Sequence, residues 1–398
     1  MSMIIDTHAH YDDHAFDGDR KEILSGLLER GVANVINASA AARTLPKVLA
    51  LAEHYDFVYA MAGLHPCEVY GCGDNTGSHV MEVYGRETDA GSQVTDMHGG
   101  DVSGNAASPA KVTDAGIVLP KTEDLKAAIQ AMVMNDDRSD HTEGGKLSQL
   151  ADNSCVSTEE AAGDPEGLAW KVAEAKADIE WVQTYNIIKI QEWLGEAFAA
   201  YDPDEIITSE WTASEREMKL LQAALAHPKV VAVGEIGLDY HYDDTNKPLQ
   251  NKWFADQINL AREFNKPVNI HSRDAAADTA DLMKAEHARD VGGIVHCFSY
   301  GKEMAAEFLD MGFMLGIGGV VTFKNSKKIK EVVSYMPLDM LVLETDCPYL
   351  APSPYRGKRN DSGYISYAAQ AIADIKAVTA EQVIEIAAQN ARRVYKLG

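Results

Sequence analysis

The sequence contains no uncharged apolar run near the roughly 20 residues that a membrane-spanning helix needs, and its first residues carry no basic, apolar leader. Nothing in it marks the chain for export. It is poor in cysteine, and Cys67, Cys72, Cys155, Cys297 and Cys347 form an odd, scattered set without metal-finger spacing. That excludes a small disulfide scaffold and fits a reduced, cytoplasmic compartment. Positive charge is also scarce: 36 Lys+Arg against 61 Asp+Glu leave a net charge of −25 over 398 residues. A surface this acidic repels polyanions at long range, so a phosphate-bearing partner must be held by local positive charge or by metal ions. With 46% hydrophobic and 24% charged residues the chain reads as globular, and it shows neither an internal repeat nor a low-complexity tract.

What is present is a rhythm of short β-branched runs, each followed by a helical pattern. The runs begin at Met3, Ala33, Phe57, Val230, Pro267, Gly293, Phe313 and Leu341, and segments such as Arg20 to Arg30, Lys252 to Phe264 and Ala380 to Ala391 supply crossovers. Eight such units predict an α/β fold of the TIM (β/α)8 barrel type with a large acidic, partly helical insertion between strands 3 and 4. Residues 1–70 and 213–398 form the barrel and 71–212 the insertion. From Gly71 to Thr212 there are 27 Asp+Glu and 9 Lys+Arg, a net of −18 that leaves only −7 for the rest of the chain. Within the insertion, Glu123 to Asn135 and Asp164 to Tyr201 are helix candidates. A βα connection emerges on the catalytic face of a barrel, so the insertion is expected beside the site as an acidic wall that restricts entry to strand ends or short fragments.

The chemistry lies at the C-terminal ends of the strands. His8 and His10 follow strand 1, His65 follows strand 3, and Glu235, His271, His296 and Asp346 end strands 4, 5, 6 and 8. A lone histidine at a strand end is commonly structural, but acids and imidazoles on so many strand ends converge on one face of a parallel barrel. Neutral imidazoles with carboxylates suit zinc or another first-row divalent ion, and a carboxylate shared by two ions builds the paired site used in phosphoester hydrolysis.

Six segments together resemble the successive signatures of the TatD family of metal-dependent deoxyribonucleases: Ile4 to His10, Gly63 to Pro66, Gly234 to Tyr240, Pro267 to Arg273, His296 to Ser299 and Leu343 to Leu350. The resemblance covers residues 1 to about 70 and about 213 to 398. It implies a barrel of the amidohydrolase type, two divalent metal ions (zinc, magnesium or manganese) and hydrolysis of DNA, commonly as a 3′-to-5′ exonuclease. Carried over by position, it makes His8, His10, Glu235 and Asp346 ligands of one ion, with Glu235 bridging to a second held by His271 and His296. Asp346 would orient or deprotonate the attacking water, and His65 would contact the scissile phosphate. Tyr11 and Ala277 depart from the pattern, the latter with Asp278 adjacent and Asp274 within a turn.

Phosphate also needs cations from the chain. Arg273 follows His271, Lys324 follows strand 7, and Arg356 follows strand 8, so all three are expected on the catalytic face as substrate-binding residues, with Phe323 or Tyr355 available to stack on a base. Cys297 and Cys347 read as packing residues, and neither Gly234 to Gly237 nor Gly316 to Gly319 completes a dinucleotide fingerprint. The expected partner is DNA presented as single-stranded ends or short fragments, with no membrane. Two other readings stay open: a hydrolase of a small amide, lactone or phosphoester, and self-association through the insertion, whose edge and interior hold Trp170, Trp181, Trp193 and Trp211.

Overall fold

A computed structural model describes residues 3–69, 213–241 and 246–397. The expected insertion, its helices, its tryptophans and its position beside the site lie outside the described residues. In chain order the elements are β1 (Ile4–Ala9), α1 (Arg20–Gly26), β2 (Val32–Ala38), α2 (Leu45–His54), β3 (Val58–Ala62), α3 (Ala213–Leu225), β4 (Val230–Asp239), α4 (Lys247–Glu263) and β5 (Val268–Arg273). There follow α5 (Ala276–Ala285), β6 (Gly293–Val295), α6 (Lys302–Asp310), β7 (Met314–Ile317), α7 (Lys327–Tyr335), β8 (Leu341–Leu343), α8 (Ile365–Lys376) and α9 (Ala380–Tyr395).

The eight strands pair in sequence order, every neighbour parallel. Beyond the strand ends the sheet meets itself: Ala9 bridges Cys347, His10 N–H donates to Cys347 O at 2.8 Å, and Asp346 N–H donates to His8 O at 3.0 Å. The chain is therefore a (β/α)8 barrel of the TIM type. Several strand ends differ from the sequence expectation: β1 runs on to Ala9 and takes in His8, β4 runs on to Asp239 and β5 to Arg273, while β6 stops at Val295 and β8 at Leu343, where its pairing with Ile317 of β7 ends. Asp346, beyond β8, takes a left-handed backbone, φ 57°, that lies outside any strand. No helix among the described residues is long and apolar enough to cross a membrane.

Buried strands carry apolar residues on both faces, and the two faces feed two cores. Outside the sheet, Trp253, Phe254, Ile258 and Ala261 line one side of α4 and join residues such as Phe308, Val332 and Ile372 against the strands. Inside, Ile5, Ile36, Met61, Ala232, Ile294, Met314 and Val342 fill the barrel together with Ala388, Ala391 and Tyr395 of α9. At this level β5 contributes a polar residue instead: Asn269, fully buried, lies in register with Ile294 and donates to Tyr395 Oη at 3.1 Å. A capping box between Thr379 and Gln382 starts α9, and Asn390 Nδ2 ties it to Leu338 O and Leu341 O at 2.8 and 2.7 Å.

Between Glu235 and Asp239, Gly237 has φ 145°, and a Cβ there would fall inside the His271 carbonyl oxygen. A side chain would force β4 from β5 at the level of the site. Gly237→Ala is expected to destabilise the fold by about 3 kcal/mol, measured as a lower urea midpoint; an unchanged midpoint would show that β4 yields without loss.

Candidate metal centre

Three strands, β1, β4 and β5, and the segments that follow β1, β3, β6 and β8 deliver a buried cluster of imidazoles and carboxylates. His8 lies within β1 and His10 just beyond it, so strand alternation turns both inward, and their Nε2 atoms stand 3.1 Å apart. Asp346 Oδ1 lies 3.5 Å from His10 Nε2 and 3.8 Å from His8 Nε2. Glu235 faces two ways. Its Oε2 is 3.4 Å from His8 Nε2 and 3.6 Å from His10 Nε2, while its Oε1 is 2.8 Å from His271 Nδ1 and 2.7 Å from His296 Nε2. His8 and His296 stack with centroids 3.9 Å apart. His65 enters from the segment after β3, its Nε2 3.6 Å from Glu235 Oε1.

Which ring nitrogens carry protons is set by partners that only accept or only donate. Tyr395 Oη donates to Thr7 O at 3.1 Å, so it accepts from Asn269 Nδ2, which leaves Asn269 Oδ1 to accept from His8 Nδ1–H at 2.9 Å. His10 Nδ1–H donates to Ala38 O at 3.2 Å, and His271 Nε2–H to Asp239 Oδ2 at 3.1 Å. The inward nitrogens of His8, His10 and His271 are thereby left with lone pairs that face one another and carboxylate oxygens. Lone pairs and anions this close repel unless a proton or a cation sits among them. A divalent cation fits this donor set, and the outer partners Asn269, Ala38 O and Asp239 orient ligands as second contacts do in metal sites.

The electrostatics agree. Burial pulls the His10 imidazole down, but the hydrogen bond to Asp346 and the charge of Glu235 outweigh it and raise its pKa to about 10. Burial is likewise outweighed at His271, which Asp239 and Glu235 raise to about 9. Glu235 is held well below the carboxylate range despite its burial, chiefly by His296, His65 and His8. His296, by contrast, is lowered to about 4 by burial and by His8, and its buried Nδ1 has no hydrogen-bond partner.

His65 belongs to the cluster in a different role. Its Nδ1 accepts Cys67 N–H at 3.1 Å, so Nε2 keeps the proton and points into the site as a donor. Burial and the neighbouring His271 lower its pKa to about 3, which keeps it neutral. His65, Asp239 and His271 come within ligating distance of one another, yet the Nε2 atoms of both imidazoles carry protons in this arrangement, so these three are not a third ligand set.

Of the cations expected on this face, Arg273 ends β5, half-buried, near enough to Cys297 for its charge to act there. Lys324 and Arg356 are exposed in the segments after β7 and β8, the Arg356 guanidinium 4.7 Å over the Phe323 ring. Cys347 is fully buried in the seam between β1 and β8. At the departures from the family pattern, Tyr11 is buried with its hydroxyl 2.9 Å from Ser362 Oγ, and Asp278 accepts from Tyr240 Oη at 3.0 Å.

Sequence reading left Asp239, Asn269 and Tyr395 unassigned. The first two were within reach: Asp239 lies four residues beyond Glu235 on one strand and Asn269 two before His271, spacings that return a strand side chain to the same face.

Cation binding must displace protons from His10 and His271. At pH 7, below the values of both, about two protons should leave for each fully loaded centre, and apparent affinity should rise with pH until it passes about 10. Calorimetry in buffers of different ionisation enthalpy counts them; no release would overturn the assignment. Asn269→Leu frees the His8 tautomer and should weaken cation binding about 10–100-fold, read by competition with a chromogenic chelator.

The TatD related DNase family model matches residues 5–94 and 168–396, leaving 95–167 outside it. An uncharacterized metal-dependent hydrolase of Bacillus subtilis, YabD, is 48% identical over 184 residues, 46% of this chain and 72% of that protein. YcfH of Escherichia coli K12, another uncharacterized metal-dependent hydrolase, is 41% identical over 177 residues, 44% of this chain and 67% of that protein. The crystal structure of YJJV, a TatD homologue from Escherichia coli K12, superposes with a TM-score of 0.57 at 21% identity, covering 100% of this chain and 99% of that one, a likeness of fold. With that match added to a buried two-sided donor set, the chain belongs to the TatD family of metal-dependent hydrolases.

Proposed function

We propose that this chain hydrolyses phosphodiester bonds of DNA, working from strand ends and using two divalent ions, of which zinc, magnesium and manganese all suit the mixed donor set. The observation that carries the reading is Glu235, one carboxylate offering Oε2 to His8 and His10 and Oε1 to His271 and His296. His8, His10, Asp346 and Glu235 would hold one ion, and His271, His296 and Glu235 the other. Bound there, the ions supply Lewis-acid stabilisation of developing negative charge and acidify water.

The residues divide the remaining work. Asp346 is the more open of the two inner carboxylates, its side chain 18% exposed against 5% for Glu235, so it is the group that meets water and accepts its proton. His65, neutral and presenting Nε2–H, donates to a non-bridging phosphate oxygen and gains strength as charge grows there. Arg273, Lys324 and Arg356 hold flanking phosphates, and their local charge answers the repulsion expected from the chain as a whole. The 3′-to-5′ direction follows the family resemblance.

Full-length protein, assayed with manganese, magnesium or zinc on end-labelled single-stranded DNA, should release mononucleotides, and Glu235→Gln should abolish release. His65→Ala should lower kcat about 100-fold. Protein shown by elemental analysis to be metal-loaded that cleaves neither DNA nor bis(p-nitrophenyl) phosphate would refute the reading, and hydrolysis of small amides or lactones instead would support the other hydrolase class.

A further inference from the structure

The segments after β7 and β8 are joined above the barrel. Ser353 N–H donates to Thr322 Oγ1 at 2.8 Å, and Asn360 Nδ2 returns to Thr345 O and Tyr349 O at 3.0 and 2.7 Å, beside the metal ligand candidate Asp346. On this frame Tyr355 and Tyr364 stack in parallel, centroids 4.5 Å apart and 5° between planes. Tyr367, in the first turn of α8, meets both edge-on at 5.5 and 6.2 Å. Tyr367 as a residue is 37% exposed, one of few large hydrophobic residues left open among the described residues. Next to the tyrosines, Lys324, Arg356 and Lys358 are exposed, and none is paired with a carboxylate among the described residues. Arg359, by contrast, is taken by Asp19. Unpaired cations gathered on two joined segments of a chain with net charge −25 mark a place built for an anion.

We propose that this surface is a stacking subsite for unpaired bases, in which Tyr367, backed by Tyr355 and Tyr364, takes a base several nucleotides from the scissile bond while Lys324, Arg356 and Lys358 take its phosphates. The proposal rests on the nucleic-acid reading above and assigns residues outside the metal cluster to it. Ring faces accept any base but only when it is unpaired, so the subsite favours single strands over duplex. Phe323, covered by the Arg356 guanidinium, holds that cation through its ring face.

Binding of a fluorescein-labelled 12-nucleotide DNA to the full chain in EDTA, followed by anisotropy, tests the subsite apart from catalysis. Tyr367→Ala should weaken binding about tenfold, in the range of one lost base stack, and Tyr367→Phe should restore it. Tyr335→Ala, which removes a still more exposed tyrosine from the far end of α7, should leave it within twofold, roughly the spread of a neutral surface change. Duplex of the same length should bind more weakly. A Tyr367→Ala protein that binds as the parent does, or equal affinity for duplex, overturns the proposal. Intact, tyrosine-dependent binding without cleavage in the metal assay would keep the subsite and refute the hydrolytic reading; cleavage with no tyrosine dependence would do the reverse.

Discussion

Barrel closure depends on one buried carboxylate. Asp6 Oδ1 accepts His8 N–H at 3.3 Å and Thr345 N–H at 3.0 Å, and its Oδ2 accepts Thr345 Oγ1 and Ser362 Oγ, both at 2.6 Å. No other group ties β1 to the segment after β8 with so many bonds among the described residues. Burial pushes its pKa up to about 6 against the pull of those hydrogen bonds. A carboxylate with every lone pair engaged is tolerated where an unpaired one would be costly. Because the seam runs through His8 and ends at Asp346, the same bonds that shut the barrel set two of the candidate ligands.

From that seam the cluster grows by mutual constraint. His8, His10 and His271 each have the outer nitrogen spoken for, and Glu235 is braced from both sides. Glu344, two residues before Asp346, accepts Cys297 N–H and so fixes the turn that carries His296. Rigid ligands held by rigid neighbours describe a centre prepared for its cations before they arrive, and such preparation reduces the ordering cost of binding.

The parallel barrel and the seven converging side chains were legible because both write a regular mark on the chain: buried strands are continuous apolar runs, and the reactive residues stand where those runs stop. The failures are physical. β8 ends at Leu343, three residues short of Asp346, whose left-handed backbone is invisible to hydrophobic pattern, and β4 continues because Gly237 accepts a conformation that a pattern counts as a break. Asp239 and Asn269 carry the two-residue period of their strands and were readable in principle. Tyr395 was not, since it reads as the apolar face of α9 and gains its role only when that helix packs under the barrel. The proton direction of His65 depends on a backbone amide, which no side-chain pattern encodes.

The link from Thr7 through Tyr395 and Asn269 to His8 joins positions spread over nearly the whole chain. A ribosome exposes these residues at widely separated times. Until α9 has docked beneath the barrel, the Asn269 amide lacks the partner that turns its oxygen toward His8, so the ligand geometry of β1 waits on the packing of a helix far along the chain.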